Sequence, residues 1–245
     1  MAGPPLIAVA HGSRDPRSAA TVHELLGVVR AAAPGVDVRA AFLDLSAPRL
    51  PDVLATVDGD AVVVPLLLGS AYHARVDIPG AVAKAAARRP RLRPRVTDVL
   101  GPDARLERAA FERLLAAGAD PADPELGVVL VGAGSSHEPA NAAVRRVAAG
   151  WAHRTRWSLT AAFAAATTPD VTAAIARLRA GGARRIAVGS WFLAPGLLPD
   201  RVARQALAAE PDALVAAPLG ADPQVADVVL SRYEAGQFGS ARRAS

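Results

Sequence analysis

Short apolar runs alternate with alanine-rich amphipathic stretches along nearly the whole chain. In the first half the pattern predicts strands at 6–10, 36–43, 60–68 and 93–99, and helices at 18–33, 49–57, 79–89 and 104–117. In the second half it predicts strands at 127–131, 157–164, 185–190 and 213–217, and helices at 140–153, 170–180, 199–209 and 224–235. Strict strand–helix alternation, with strands that are apolar almost throughout, is what parallel sheets covered on both faces require. The expected class is α/β with flavodoxin-like layering.

The pattern is also written twice. LIAVAHGSRDP at 6–16 aligns without a gap on VVLVGAGSSHE at 128–138, which sets His11 opposite Ala133. Ala41-Phe42 with Ser46–Pro48 aligns on Ala162-Phe163 with Thr167–Pro169, which sets Asp44 opposite Ala165. Residues 62–79 align on 187–204, and His73 then faces Leu198. An internal duplication of this kind predicts two similar parallel-sheet lobes, at 1–118 and 127–236. The Ala-, Pro- and Asp-rich segment 119–126 would link them, and 237–245 would be a flexible tail.

Loops that leave the carboxyl ends of parallel strands line the crevice where ligands bind. His11 follows the first strand, Asp44 ends the second and His73 follows the third, so the three are expected to converge on one rim of the first lobe. The second lobe carries Ala, Ala and Leu at these places and would shape and cover the site. Two imidazoles and a carboxylate are a partial shell for a borderline divalent metal, and a neutral imidazole also accepts protons near pH 7. Each residue has a plainer reading: a histidine after a strand commonly caps a loop, and an aspartate there commonly caps a turn. Arg14, Arg49 and Arg75 lie near the same rim and suit a polycarboxylate ligand or a solvated surface equally. Tyr72 either stacks on a flat ring or packs.

Composition narrows the field. With no cysteine, thiolate catalysis, disulfides and Cys-based metal or iron–sulfur sites are excluded. No apolar run reaches the roughly 18 residues of a membrane span, and the start MAGPPLIAVAHGS has no basic region ahead of its apolar run, so a soluble cytoplasmic protein is expected. The net charge of +5 and pI near 10.8 come almost wholly from arginine, Lys84 being the sole lysine, and aromatic residues do not interleave the base. No nucleic-acid partner is therefore expected.

At VAHGSRDP (9–16), AFLDLSAPRL (41–50) and VVPLLLGSAYHARVDIP (63–79) the sequence resembles the class II tetrapyrrole chelatases of the sirohydrochlorin type, the long, two-half form of the CbiX/SirB family. The resemblance implies a chelatase-like fold and a lyase that inserts Fe²⁺ or Co²⁺ into sirohydrochlorin without ATP, on the way to sirohaem or cobalamin. No organic cofactor is implied, and the divalent metal is a substrate. Iron is the expected metal on cellular context alone. The metal-site histidines of the family map onto His11 and His73. Its acidic residue maps onto Asp44, where a longer Glu is the family's usual choice. Ser13, Arg14, Tyr72 and Arg75 are the expected substrate contacts. Because one chain supplies both lobes, a monomer is the simplest expectation.

Three other readings compete. AHGSR at 10–14 is similar to a histidine-phosphatase opening, but Ala10 stands where its arginine belongs. GAGSSH at 132–137 could open a nucleotide loop, yet its third glycine and any Walker lysine are missing. A metallochaperone would use the same histidines without turnover.

Overall fold

The computed structural model describes residues 3–69 and 73–238, without the side chains of His73, Ala74 and Phe238. No helix among the described residues is long and apolar enough to cross a membrane. The chain divides into two compact units, one of residues 1–103 with 220–245 and the other of residues 104–219.

The first unit is built on β1 (Leu6–Ala10), β2 (Val38–Phe42), β3 (Gly59–Pro65) and β4 (Leu92–Val96), all parallel in the order β2-β1-β3-β4. Every residue of β1 is buried, as its central place between two parallel neighbours demands. Ile7 and Val9 meet Val63 and Ala41 on one face, which α2 (Leu50–Ala55) and α3 (Ile78–Arg88) close with Leu50, Leu54, Ile78 and Val82. Pro94 is tolerated in β4 because β4 is an edge strand. On the other face lies α1 (Pro16–Ala32), which starts where Asp15 accepts the Arg17 N–H and buries Leu25, Leu26 and Val29. The strands and helices follow the predicted order, with ends displaced by a few residues.

The second unit repeats this plan. Its strands β5 (Leu126–Gly132), β6 (Ser158–Phe163), β7 (Arg185–Trp191) and β8 (Leu214–Val215) run parallel in the order β6-β5-β7-β8. Two helices, α6 (Val171–Ala180) and α7 (Leu197–Ala209), cover one face through Ile175, Leu178, Val202 and Ala206. The other face is covered by α5 (Glu138–Gly150), which packs on β5 and β6.

The remaining two helices depart from the expected lobes. α4 (Ala104–Ala116), expected to complete the first lobe, packs on β7, the counterpart of β3. α8 (Pro223–Phe238), expected to complete the second, packs on α1 and β3. Each repeat therefore surrenders its last helix to the other's sheet, and the boundaries fall at 103/104 and 219/220 instead of in a linker at 119–126. The apolar stripe of Leu106, Ala109, Ala110 and Leu114 required α4 to cover a sheet without specifying which. The segment 119–126 is itself packed into the second unit. Asp123 is buried against Arg185, and the Asp120 carbonyl accepts the Trp157 indole N–H at 2.7 Å. α8 also runs through Phe238, into the segment 237–245 expected as a tail, whose residues 239–245 lie outside the described residues.

Candidate active site on the first sheet

His11 stands directly after β1, in a loop interlocked with the one after β2. Leu43 N–H donates to the Ala10 carbonyl at 3.0 Å and Asp44 N–H to the His11 carbonyl at 2.9 Å. Between them Gly12 adopts φ 95°, and a Cβ there would come within 1.7 Å of the Asp44 carbonyl oxygen. Only glycine fits. The second unit builds the same interlock: Ala164 donates to Gly132 and Ala165 to Ala133, both at 2.9 Å, and Gly134 adopts φ 83°. The scaffold is present twice, while the imidazole belongs to the first copy.

The half-buried His11 ring has its Nδ1 3.0 Å from the Gly12 carbonyl oxygen. A carbonyl only accepts, so this contact is a hydrogen bond when Nδ1 carries a proton, which in the neutral ring leaves the lone pair on Nε2. A backbone carbonyl that fixes the tautomer in this way is the usual support of a metal-ligating imidazole.

Asp44 is exposed and lies on the same loop pair. Its Oδ1 accepts the Leu45 N–H at 2.8 Å and pairs with Arg49 Nη1 at 2.9 Å, so the carboxylate also serves its own turn. Ser13, expected to touch substrate, is used inside the loop: its Oγ accepts the Asp15 N–H at 3.0 Å, and Ser46 bonds both its N–H and its carbonyl at 3.1 Å. Ser135 accepts the His137 N–H at the same 3.0 Å in the copy that lacks the histidine, which marks this hydroxyl as loop-building. Arg14 is exposed beside it and does not line the cavity described below.

His73 opens a π-helical turn, His73–Asp77, that runs directly into α3. Its backbone thus follows β3 at the same edge of the sheet as His11, and its side chain and the whole of Tyr72 lie outside the described residues. Arg75 is exposed on that turn. Among the described residues no three His, Cys, Asp or Glu side chains gather as a metal cage.

A cavity of about 780 Å³ within the first unit joins these elements, bounded by His11, Leu43 and Asp44 at one end and by facing positions of α2 and α3. It lies in the range that binds organic ligands. Asp77, Lys84 and Arg88 also line it, and the sequence reading assigned none of them to the site. Their signal was the spacing of one helical stripe behind the HARVDIP segment.

Fold and site define a duplicated α/β protein whose His11 imidazole stands at the carboxyl edge of the first sheet. It belongs to the CbiX family, whose model matches residues 5–117 and again 127–235. The structure is similar to SirB from Bacillus subtilis with Fe³⁺, at TM-score 0.80 and 24% identity over 98% of both chains. Among curated proteins, a sirohydrochlorin cobaltochelatase of Priestia megaterium is 25% identical over 206 residues, 79% of this chain and 65% of that one. Another, from Methanococcoides burtonii, is 32% identical over 78 residues, 30% of this chain and 60% of the relative. This chain therefore spans less than two thirds of the length of either curated relative.

Proposed function

We propose that this protein is a sirohydrochlorin chelatase, a lyase that inserts Fe²⁺ to give sirohaem, or Co²⁺ on the cobalamin route, without ATP or an organic cofactor. Family membership and the activity in the curated relatives' names support the reading. The observation that carries it is His11, an imidazole held against the Gly12 carbonyl and lining a cavity of about 780 Å³, on a loop whose copy has alanine.

In this reading the metal is a substrate. The macrocycle gives up two pyrrole protons and gains one divalent ion. His11 Nε2 and the His73 imidazole hold the incoming ion, and once it has passed to the macrocycle each vacated neutral ring takes up one of the two released protons. Asp44, on the loop that grips Gly12, adds a negative charge that favours arrival of the cation. Arg75 contacts the carboxylates of a sirohydrochlorin held by its rim, and Tyr72 stacks on the ring. Binding energy from those remote carboxylates offsets bending of the macrocycle, which exposes its nitrogen lone pairs. A monomer in the cytoplasm, with no nucleic-acid or membrane partner, completes the proposal.

The test is an anaerobic absorbance time course of sirohydrochlorin with Fe²⁺ or Co²⁺, comparing the protein with His11→Ala. Catalysed insertion that falls at least about 100-fold in the variant is expected. An unaltered spectrum with either metal would refute the reading, and stoichiometric metal uptake without turnover would make the protein a metal carrier.

A further inference from the structure

One face of α3 lies along the cavity. Asp77, Gly80, Ala81, Lys84, Ala85 and Arg88 line it, at the i, i+3, i+4, i+7, i+8, i+11 spacing of a single helical stripe. The middle of the stripe is made of the smallest side chains, so the groove stays open there. Lys84 and Arg88 occupy its far end, and both are exposed.

The direction of the stripe follows from topology. A helix that follows a parallel strand starts at the sheet's carboxyl edge, so Asp77 lies at the end of α3 where His11 and Asp44 line the same cavity. The other end of α3 lies toward the amino edge, where Arg89 pairs at 2.6 Å with Asp58, just ahead of β3. The cavity is thus polarised, with imidazole and carboxylates at one end and cations at the other. Arg39, Arg89 and Arg93 of this unit are each paired with an aspartate. Lys84 and Arg88 have no hydrogen-bond or ion-pair partner among the described residues. Their charge is directed to solvent or to whatever fills the groove.

We infer that Lys84 and Arg88 are substrate-specificity residues that bind rim carboxylates of the tetrapyrrole while its centre lies at His11. The inference rests on the chelatase reading. Along α3, Lys84 lies about 10 Å and Arg88 about 16 Å beyond Asp77. The carboxylates of a tetrapyrrole lie on the order of 8–10 Å from its centre by ordinary bond lengths. Lys84 therefore meets a carboxylate of a macrocycle centred at the His11 end, and the long Arg88 side chain reaches back to a second. Lysine acts there as a mobile point charge and arginine as a two-pronged donor, so together they select macrocycles that carry acid groups on the edge nearest α3.

Two double variants test this, Lys84→Ala with Arg88→Ala and Lys84→Glu with Arg88→Glu. Both positions are exposed, so thermal unfolding should be unchanged. The readouts are fluorescence titration of metal-free sirohydrochlorin, steady-state Co²⁺ insertion, and competition by uroporphyrin against protoporphyrin, which carries far fewer acid groups. We expect Kd and KM to rise about fivefold in the alanine pair and more than tenfold in the glutamate pair, with kcat retained. The preference for the acid-rich competitor should narrow, which a merely structural role would not do. Wild-type Kd, KM and preference in both variants would overturn the assignment and leave the chelatase reading standing. A wild-type protein that neither binds nor metallates sirohydrochlorin would overturn both.

Discussion

Arg113 and Arg232 occupy equivalent positions of the repeat and make the same bond from opposite helices. Arg113 on α4 donates to the Leu219 carbonyl at 2.9 Å, and Arg232 on α8 donates to the Leu100 carbonyl at 2.8 Å. Leu100-Gly101 and Leu219-Gly220 are themselves repeat partners, so each guanidinium ties an exchanged helix to the loop after the other copy's last strand. Arg232 adds a bond to the Val99 carbonyl at 2.8 Å and faces Asp103 at 3.6 Å.

Arg232→Ala and Arg113→Ala should each lower stability by about 1–3 kcal/mol, because the abandoned carbonyls lose charged donors. All three tryptophans, Trp151, Trp157 and Trp191, lie in the second unit. Urea unfolding followed by tryptophan fluorescence should therefore report Arg113→Ala directly, and circular dichroism should report both. An unshifted midpoint for both variants would show that the bonds do not hold the exchange.

Gly12→Ala and Gly134→Ala should be comparably damaging to folding, by about 3 kcal/mol or more, since each puts a Cβ into a backbone carbonyl at positive φ. Their effects on chemistry should separate. Insertion per folded molecule should collapse for Gly12→Ala, which displaces His11, and survive for Gly134→Ala. Rates normalised to the folded fraction check this, and equal loss in both would contradict a site confined to the first copy.

The Asp44–Arg49 pair is exposed on both sides, so Arg49→Ala should shift stability by less than about 0.5 kcal/mol. If Asp44 attracts the metal, Asp44→Ala should slow insertion about tenfold at limiting metal and less at saturating metal. A metal titration of the initial rate decides, and an unchanged rate at every concentration would reduce Asp44 to a turn residue.

Asp123 gives a pH signature. Burial raises its pKa, but the Glu125 N–H and the Arg185 guanidinium outweigh burial and hold the carboxyl below its ordinary value. A depressed folded-state pKa stabilises fully above the unfolded-state value and is lost as pH falls through the folded one. Asp123→Asn should therefore be less stable at pH 7, by about 1–3 kcal/mol, with the difference shrinking as pH falls below the ordinary aspartate value of about 4. Thermal melts across pH 3–7 measure it, and a constant difference would refute the linkage.

Periodicity and self-alignment were enough to read the two parallel sheets, their helices and the loop that holds His11, because those features are local to ten or fifteen residues. The partner of α4 was not legible, since its stripe of Leu106, Ala109, Ala110 and Leu114 fits either of two similar sheets. Ser13 resembled a ligand contact because a hydroxyl beside His11 can face outward or inward, and its bond to the Asp15 N–H depends on loop geometry. Nothing in the sequence alone placed Lys84 and Arg88 at the site, because only the groove between α2 and α3 sets them along one cavity with His11.

The exchange of α4 and α8 gives the half with Ala133 in place of His11 a reason to persist. Severing the chain within 119–126 would strip each sheet of one of its covering helices, so the two repeats are one folding commitment, equivalent to a helix-for-helix swapped pair fused into a single gene product. What the second repeat owes the first is α8 and the side chains that seat it. Its own loop carries Ala133 where the first has His11, yet it keeps both backbone hydrogen bonds of the interlock.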